Sequence, residues 1–360
     1  MARTIRPAVT LKEIAKNTGL SIMTVSRVVR GHPDVGAANR RRVLAMVRRL
    51  GYIPNPAARQ LASGTSADRD ERIIGTVLSR EVVTSHSYFA GILAGLADEA
   101  RQRDCHLLLG YGLGDSAETL DYPKMIRDMV TRWIILVGKV PPGFVRQLRA
   151  NGFSLVLVDM RPPVRDVDAV VCDDAAGAYE AVRHLVKLGH ERIGLIRGPA
   201  RHPFFDALAT GHRRALSDSG IRPDPALTLE TPASLQGGYE AAGTLLKASR
   251  PPTAIFSNDD LAIGALRAIH ERGLRVPEDI AVVGYDDIDY AAHTTPPLTT
   301  VAVPKEEMGR MAIHRALSQM EHSDQHVYTT TVVTHTLVIR SSCGLGRTIA
   351  RSSRGRRRSS

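Results

Sequence analysis

The sequence predicts two architectures joined end to end: an all-α N-terminal head carrying a helix-turn-helix, then an α/β body of two lobes, each a parallel sheet flanked by helices. Three observations predict them. The stretch from Thr10 to Arg30, TLKEIAKNTGLSIMTVSRVVR, reads as two short helices and a tight turn. From residue 73 the pattern changes to continuous apolar runs alternating with amphipathic helices, as strands covered on both faces require. Charge is divided the same way. Of a total of +11, residues 1–63 hold twelve Lys/Arg and two Asp/Glu, a net of +10. Residues 347–360 hold six Arg and no acid, which leaves −5 for the stretch between. A basic front end on a mildly acidic body suits a phosphate-neutralising module joined to a separate sensor, whereas scattered solubilising Arg would show no such division.

In chain order, Thr10 followed by Glu13 has the spacing of a capping box, which satisfies the free amides at a helix start. Ile14 and Ala15 supply the buried side of that helix, and Gly19 sits where the chain must reverse through positive φ. Ser21 caps a second helix whose Val25, Val28 and Val29 recur at helical spacing and pack back on Ile14. The second helix of such a pair is the one that enters a DNA major groove. A third helix is expected from about 37 to 50, with Val43, Leu44, Val47 and Leu50 on one stripe and Arg40, Arg41, Arg42, Arg48 and Arg49 on its other faces. NPAARQLASG, 55–64, is too short to be stable as a lone helix in water, although Asn55 and Pro56 prime it for one given support.

Strands are then predicted at 73–79, 105–111, 133–138, 154–159, 167–173, 193–198, 254–258 and 280–287. Helices are predicted near 88–102, 117–131, 142–150, 175–188, 206–219, 235–248 and 260–272. About 270 residues of this pattern exceed one sheet, so two lobes with a cleft are expected, and in such sheets ligands bind beyond the carboxyl ends of the strands.

Several function classes are excluded. No apolar run of about eighteen residues occurs, and the opening MARTIRPAVTLKEIAKN lacks the apolar core of a signal peptide. A cytoplasmic, nucleoid-associated protein with no membrane partner is therefore expected. Cys105, Cys172 and Cys343 are odd in number and widely separated, unlike a disulfide framework or a zinc site. GYGLG at 110–114 has the wrong glycine spacing for a dinucleotide or P-loop site, and the thirteen His residues form no HExxH pair. An enzyme is not expected, nor any cofactor or metal.

VTLKEIAKNTGLSIMTVSRVVRG and RRRVLAMVRRLGYIPNPAARQLASG together resemble the DNA-binding head and hinge of the lac repressor type (LacI/GalR) family of bacterial transcription regulators. YFAGILAGLADEA, LVKLGHERIGLIRG, FSNDDLAIGALRAIHERGLRVPEDIAVVGYDDI, PPLTTVAVP and LVIRSSCG are similar to its effector domain, so the resemblance runs from Val9 to Gly344. It implies a repressor acting as a homodimer on a palindromic double-stranded DNA operator. A periplasmic-binding-protein-like sensor closes on a small-molecule effector of the sugar or sugar-derivative class. It divides the chain into a head (1–54), a hinge helix (55–64), a linker (65–72), a two-lobed effector and dimerisation domain (73–346) and a basic disordered tail (347–360). Lobe 1 is expected at about 73–172 and 303–333, lobe 2 at about 173–300 and 334–346. No leucine heptads follow Gly344, so a dimer is expected rather than a tetramer.

Residue by residue, the resemblance puts Ile22, Met23 and Arg27 where bases are read, with Arg27 able to grip guanine in bidentate fashion. Thr10, Ser21, Thr24, Ser26, Arg30 and Tyr52 become partners for DNA phosphates. Asn55, Ala58 and Leu61 fall on the hinge, where Leu61 would wedge into a minor-groove base step. Tyr88, Phe89, Asp159, Asn258, Asp259 and Asp286 become effector contacts, with an N-cap role as the alternative for Asp259. Leu208 stands where many members have an effector-clamping Arg, so Arg197 or His202 is expected to substitute. A regulator with a degenerate, ligand-independent sensor and a sugar-binding protein remain the competing readings.

Overall fold

The computed structural model describes residues 10–29, 34–50, 72–79, 86–111, 123–127, 130–322 and 325–344. The expectations for Arg30, Tyr52, Asn55, Ala58, Leu61, the hinge, the linker and the Arg-rich tail lie outside these residues. The chain forms two compact units, Met1–Asp70 and Glu71–Ser360.

In the first unit, helices α1 (Leu11–Thr18), α2 (Ile22–Val29) and α3 (Ala37–Leu50) surround a core of Ile14, Ala15, Val25, Val28 and Val43. The capping box is present in both directions: Thr10 N–H donates to Glu13 Oε2 at 3.0 Å, and Glu13 N–H donates to Thr10 Oγ1 at 3.3 Å. Gly19 ends α1 at φ 64°, where a Cβ would strain the chain. Ser21 Oγ accepts from Thr24 N–H at 3.0 Å and so starts α2.

The second unit contains a six-stranded parallel sheet in the order β11-β5-β4-β3-β1-β2. Its strands are β1 (Ile73–Leu78), β2 (His106–Tyr111), β3 (Trp133–Val137), β4 (Ser154–Val158), β5 (Asp168–Cys172) and β11 (Thr330–Val333). A four-stranded parallel sheet has the order β7-β6-β8-β9, from β6 (Ile193–Arg197), β7 (Thr228–Glu230), β8 (Ala254–Phe256) and β9 (Ala281–Val283). An antiparallel pair, β10 (Thr300–Ala302) and β12 (Thr336–Val338), lies where the chain passes between the lobes. The crossings follow Cys172, Ala302 and Val333.

Helices α4 (His86–Gln102), α5 (Lys124–Arg127), α6 (Pro142–Ala150) and α11 (Lys305–Glu321) accompany the larger sheet. The smaller sheet takes α7 (Asp174–Lys187), α8 (Pro203–Asp218), α9 (Leu235–Leu246) and α10 (Asp259–His270). Four features depart from the sequence reading. The helix expected near 117–131 is, among the described residues, the single turn α5, and Val130 is already a bend. Helix α8 begins earlier than expected, at Pro203, whose missing N–H costs nothing in a first turn. β7 is an added strand. After residue 287 the structure adds β10, α11, β11 and β12.

One buried carboxylate ties the crossings to lobe 1. Asp168, fully buried at the start of β5, accepts from Arg315 Nη2 at 2.7 Å and Gln319 Nε2 at 2.6 Å, both on α11. It also accepts from His326 Nε2 and from Thr329 N–H at 2.8 Å, in the segment leading to β11. A charge taken out of water is tolerated only with such partners.

Candidate functional site

Two surfaces carry the chemistry. On α2, Ile22 is 46% and Met23 65% exposed, and Arg27 on the next turn is exposed too. The opposite face of the helix is spent on Val25 and Val28. Large apolar side chains left in water on so small a unit mark a contact surface. Arg27 adds a planar fork of donors for a base edge or a phosphate. Thr10, Ser21 and Thr24 are polar groups of the same unit whose hydroxyl oxygens form the helix starts. Thr24 and Ser26 are half-buried on α2.

The second surface lies at the carboxyl ends of the strands. In the larger sheet the order reverses between β1 and β3, and in the smaller one between β6 and β8. Such switch points are where α/β sheets hold ligands. Ser79 follows β1 and Asn258 follows β8, and each is more than nine-tenths buried. Ser79 Oγ and Asn258 Oδ1 have no hydrogen-bond partner among the described residues. Asn258 occupies the N-cap position of α10 without turning its side chain onto the helix.

Between these points, side chains of both lobes converge. Tyr88 on α4 donates its hydroxyl to Asp159 Oδ1 at 3.1 Å, just past β4. Tyr285, past β9, donates to Asp174 Oδ1 at 3.1 Å, at the start of α7. Gly177 makes room for the Tyr285 ring, since a Cβ there would stand 2.7 Å from its hydroxyl. Phe204 packs edge-on against Tyr285, with centroids 5.7 Å apart. Lys305, at the head of α11, donates to the carbonyls of Asp286 and Asp287 and lies 6.0 Å from the centre of the Tyr88 ring. Asp159, Asp286 and Asp287 hold φ of 65°, 115° and 48°, backbone states that cost energy in residues other than glycine.

The electrostatics follow from crowding acids in low dielectric. Burial pushes the Asp174 carboxyl up to about 7, with Tyr285 opposing and Asp173 adding to the rise. Asp286 rises well above the ordinary carboxylate range, through burial first and then the nearby Asp259, with Lys305 opposing. Tyr88 is raised by burial first and then by the fields of Asp159, Asp174 and Asp286.

Residues 10–55 match the family described as bacterial regulatory proteins, lacI family, and residues 182–343 match the periplasmic binding protein-like domain. The ribose operon repressor of Haemophilus influenzae is 30% identical over 336 residues, 92% of this chain and 98% of that protein. The chain belongs to the lacI family of bacterial regulatory proteins. It is therefore a DNA-binding transcription repressor by family and not an enzyme. Two solved regulators are similar along nearly their whole length. The crystal structure of the lac repressor dimer bound to operator and the anti-inducer ONPF has a TM-score of 0.76 at 28% identity, covering 93% of this chain and 99% of that one. The complex of the transcriptional regulator CelR with cellobiose has a TM-score of 0.67 at 28% identity, covering 94% and 100%.

Within this lacI-family body the structure joins Tyr88 to Asp159 and sets Asn258 and Asp286 beyond the carboxyl ends of β8 and β9. It corrects three expectations. Phe89 is 3% exposed and belongs to the hydrophobic core, packed edge-on against Tyr88, because neighbours on a helix point to different sides. Asp259 is fully buried and neither an effector contact nor the N-cap. Its Oδ1 accepts from Thr300 Oγ1 at 2.6 Å and its Oδ2 from Ile288 N–H at 2.9 Å, which ties α10 to the β10 crossing. Arg197 does not replace the missing cation, since its guanidinium is held by Asp206 Oδ1 at 2.6 Å. His202 lies at the N-cap position of α8 beside Phe205, with centroids 5.3 Å apart. Leu208 is fully buried core. The sequence reading did not find Ser79, Asp174, Phe204, Tyr285 or Lys305. Of these, only Asp174, an acid directly after a strand and opening a helix, carried a local signal.

Proposed function

We propose that this repressor binds a two-fold symmetric operator as a homodimer and that a small molecule in the interlobe cleft changes its affinity for that DNA. The observation that carries the reading is the joining of an exposed reading face, Ile22, Met23 and Arg27 on a capped helix, to a body whose cleft holds unpartnered polar groups. Arg27 would supply the base contact with hydrogen-bonding power, and Ile22 and Met23 apolar surface for a thymine methyl. Thr10, Ser21, Thr24 and Ser26 would position the head on phosphates, which fix register without reading sequence. Leu61, with Asn55 and Ala58, would form the minor-groove wedge.

Tyr88, Asp159, Asn258 and Asp286 would hold the effector, joined by Ser79 and Asp174. Support comes from their position at the strand ends and from relatives whose structures hold operator DNA or cellobiose. The test is a gel shift on the DNA upstream of the protein's own gene. Arg27→Ala should weaken binding by about 1 to 3 kcal/mol, roughly a factor of 5 to 150. Leu61→Ala should weaken it while abolishing the bend. Unchanged binding in both variants overturns the assignment.

A further inference from the structure

We propose that the outward face of α3 is a second DNA-binding surface, whose Arg41, Arg42 and Arg49 take the phosphate backbone of a duplex segment other than the one that α2 reads. The inference rests on α2 being the reading helix and adds a use for charge that reading does not employ.

The positive charge of the head is concentrated away from α2. Among its described residues, Lys12 and Lys16 lie on α1 and Arg27 alone lies on α2. Arg40, Arg41, Arg42, Arg48 and Arg49 lie on α3, which contains no acid. That distribution does nothing for the helix itself. The amino end of a helix dipole favours acids and disfavours cations, yet arginines crowd the start of α3 and its first turn has no acid. Neighbouring side chains do not neutralise the charge either. Arg41, Arg42 and Arg49 are exposed, and among the described residues no ion pair engages them. A local rule broken without a structural return marks a surface kept for a partner.

Geometry separates this surface from the reading face. Val43 turns α3 toward the core it shares with Ile14, Val25 and Val28. At about 100° per residue, Arg41 stands about 160°, Arg49 about 120° and Arg42 about 100° around the helix from Val43. The three therefore share one strip on the side turned away from the core, with the exposed Ala38 and Ala45 between them. On α2, Val25 and Val28 turn to that same core, and Ile22, Met23 and Arg27 are exposed. A major groove about 12 Å wide admits a single helix. The duplex that receives α2 is thus not the one that lies along the strip of α3.

The chemistry of the strip fits a phosphate backbone. Arg42 and Arg49 are about 10 Å apart along the helix axis, a length over which one strand of a duplex presents about three phosphates. Guanidinium forks match phosphate oxygens, and the alanine methyls between them give bases nothing to pair or stack with. Contact here is therefore independent of sequence. A head seated on an operator is surrounded by further DNA of the same molecule, at high effective concentration.

The test uses the full chain, retained on an immobilised duplex carrying the DNA upstream of its own gene and then offered a labelled duplex of scrambled sequence. The wild type should capture the label, and capture should fall steeply with salt. Arg41→Gln combined with Arg49→Gln should lower capture about tenfold or more and make its salt dependence shallower by about 2 for each head engaged. Retention on the immobilised duplex and the melting temperature should stay unchanged, and Arg41→Lys combined with Arg49→Lys should keep capture. Arg42 is left in place because its Nη2 would stand 3.9 Å from a Cβ at Gly19, beside the end of α1. The Arg-rich tail is common to all these chains, so it does not produce a difference between them.

No capture by the wild type, or capture that survives in the glutamine variant, overturns the proposal and leaves the operator reading standing. Equal loss of capture and of retention in that variant overturns it too, since the arginines then serve the flanks of the operator duplex. If the wild type is not retained on the immobilised duplex, the proposal and the operator reading both fall.

Discussion

Asp168 is the residue whose removal should unfasten the sensor most. Its carboxylate is fully buried and receives five N–H groups: two from Arg315, at 3.1 and 2.7 Å, and one each from Gln319, His326 and Thr329. Asp168→Asn keeps the shape but removes the charge, and it turns an NH2 group toward donors. Removing one partner of a buried ion pair costs about 3 to 5 kcal/mol, because the other charge is left without compensation. That is a large part of the roughly 5 to 15 kcal/mol by which a domain is stable. Trp133, the single tryptophan, begins β3 in the same sheet, so urea unfolding followed by its fluorescence reports on this lobe. Burial raises the Asp168 carboxyl, but the hydrogen bonds from Gln319, Thr329, Arg315 and His326 outweigh it, and the folded value lies below the ordinary one. The stabilisation is therefore present above the unfolded carboxylate value, about 3.9, and is lost as pH falls below it through the folded value. Arg315→Met in the Asp168→Asn background should cost much less than in the wild type. A loss under about 1 kcal/mol for Asp168→Asn would mean that this carboxylate does not fasten the lobe.

Three further outcomes are expected. Asp259 is pushed up to about 7 by burial, against the hydrogen bonds from Thr300 and Ile288, so the folded chain keeps a proton that the unfolded chain releases near 4. Its contribution to stability accordingly falls as pH rises from about 4 to about 7, and Asp259→Asn, an isostere of the protonated acid, should flatten this slope in melting scans across that range. Gly177→Ala sets a Cβ 2.7 Å from the Tyr285 hydroxyl, and a side chain that size in a packed core costs about 1 to 3 kcal/mol. The displaced Tyr285 should also weaken the ligand response, read as a smaller melting shift at fixed effector concentration. Gly95→Ala on α4 places a Cβ 2.0 Å from the Glu306 carbonyl oxygen of α11, and should lower the melting temperature as the two helices are forced apart.

The parts legible in the sequence are those set by local chemistry. The capping box at Thr10 and Glu13, the reversal at Gly19 and the valine stripe of α2 each depend on residues within four positions of one another. The parallel strands up to β9, apart from β7, are legible because burial on both faces demands continuous apolar runs. β10, β11 and β12 are three or four residues long with threonine at many positions, too short for periodicity to register.

In the cleft, Asp159, Asn258 and Asp286 could be placed at strand ends by pattern alone. The Tyr285–Asp174 bond joins residues 111 apart, and the hub at Asp168 joins residues up to 161 apart, so nothing local signals either. Phe89 and Asp259 misled for opposite reasons. Phe89 borrowed a role from its half-buried neighbour Tyr88, and Asp259 read as an effector contact or a helix cap because a fully buried acid is rare without the partners that only the fold reveals.

A homodimeric repressor requires two copies of the head, held in register, to read one symmetric site. Selection of tight-binding duplexes from random DNA by the full chain, with the bound mass of the final duplexes measured, tests this directly. An inverted repeat with two chains per duplex, lost on Arg27→Ala, is the expected result. A single asymmetric half-site bound by one chain, or no enriched sequence at all, would contradict it.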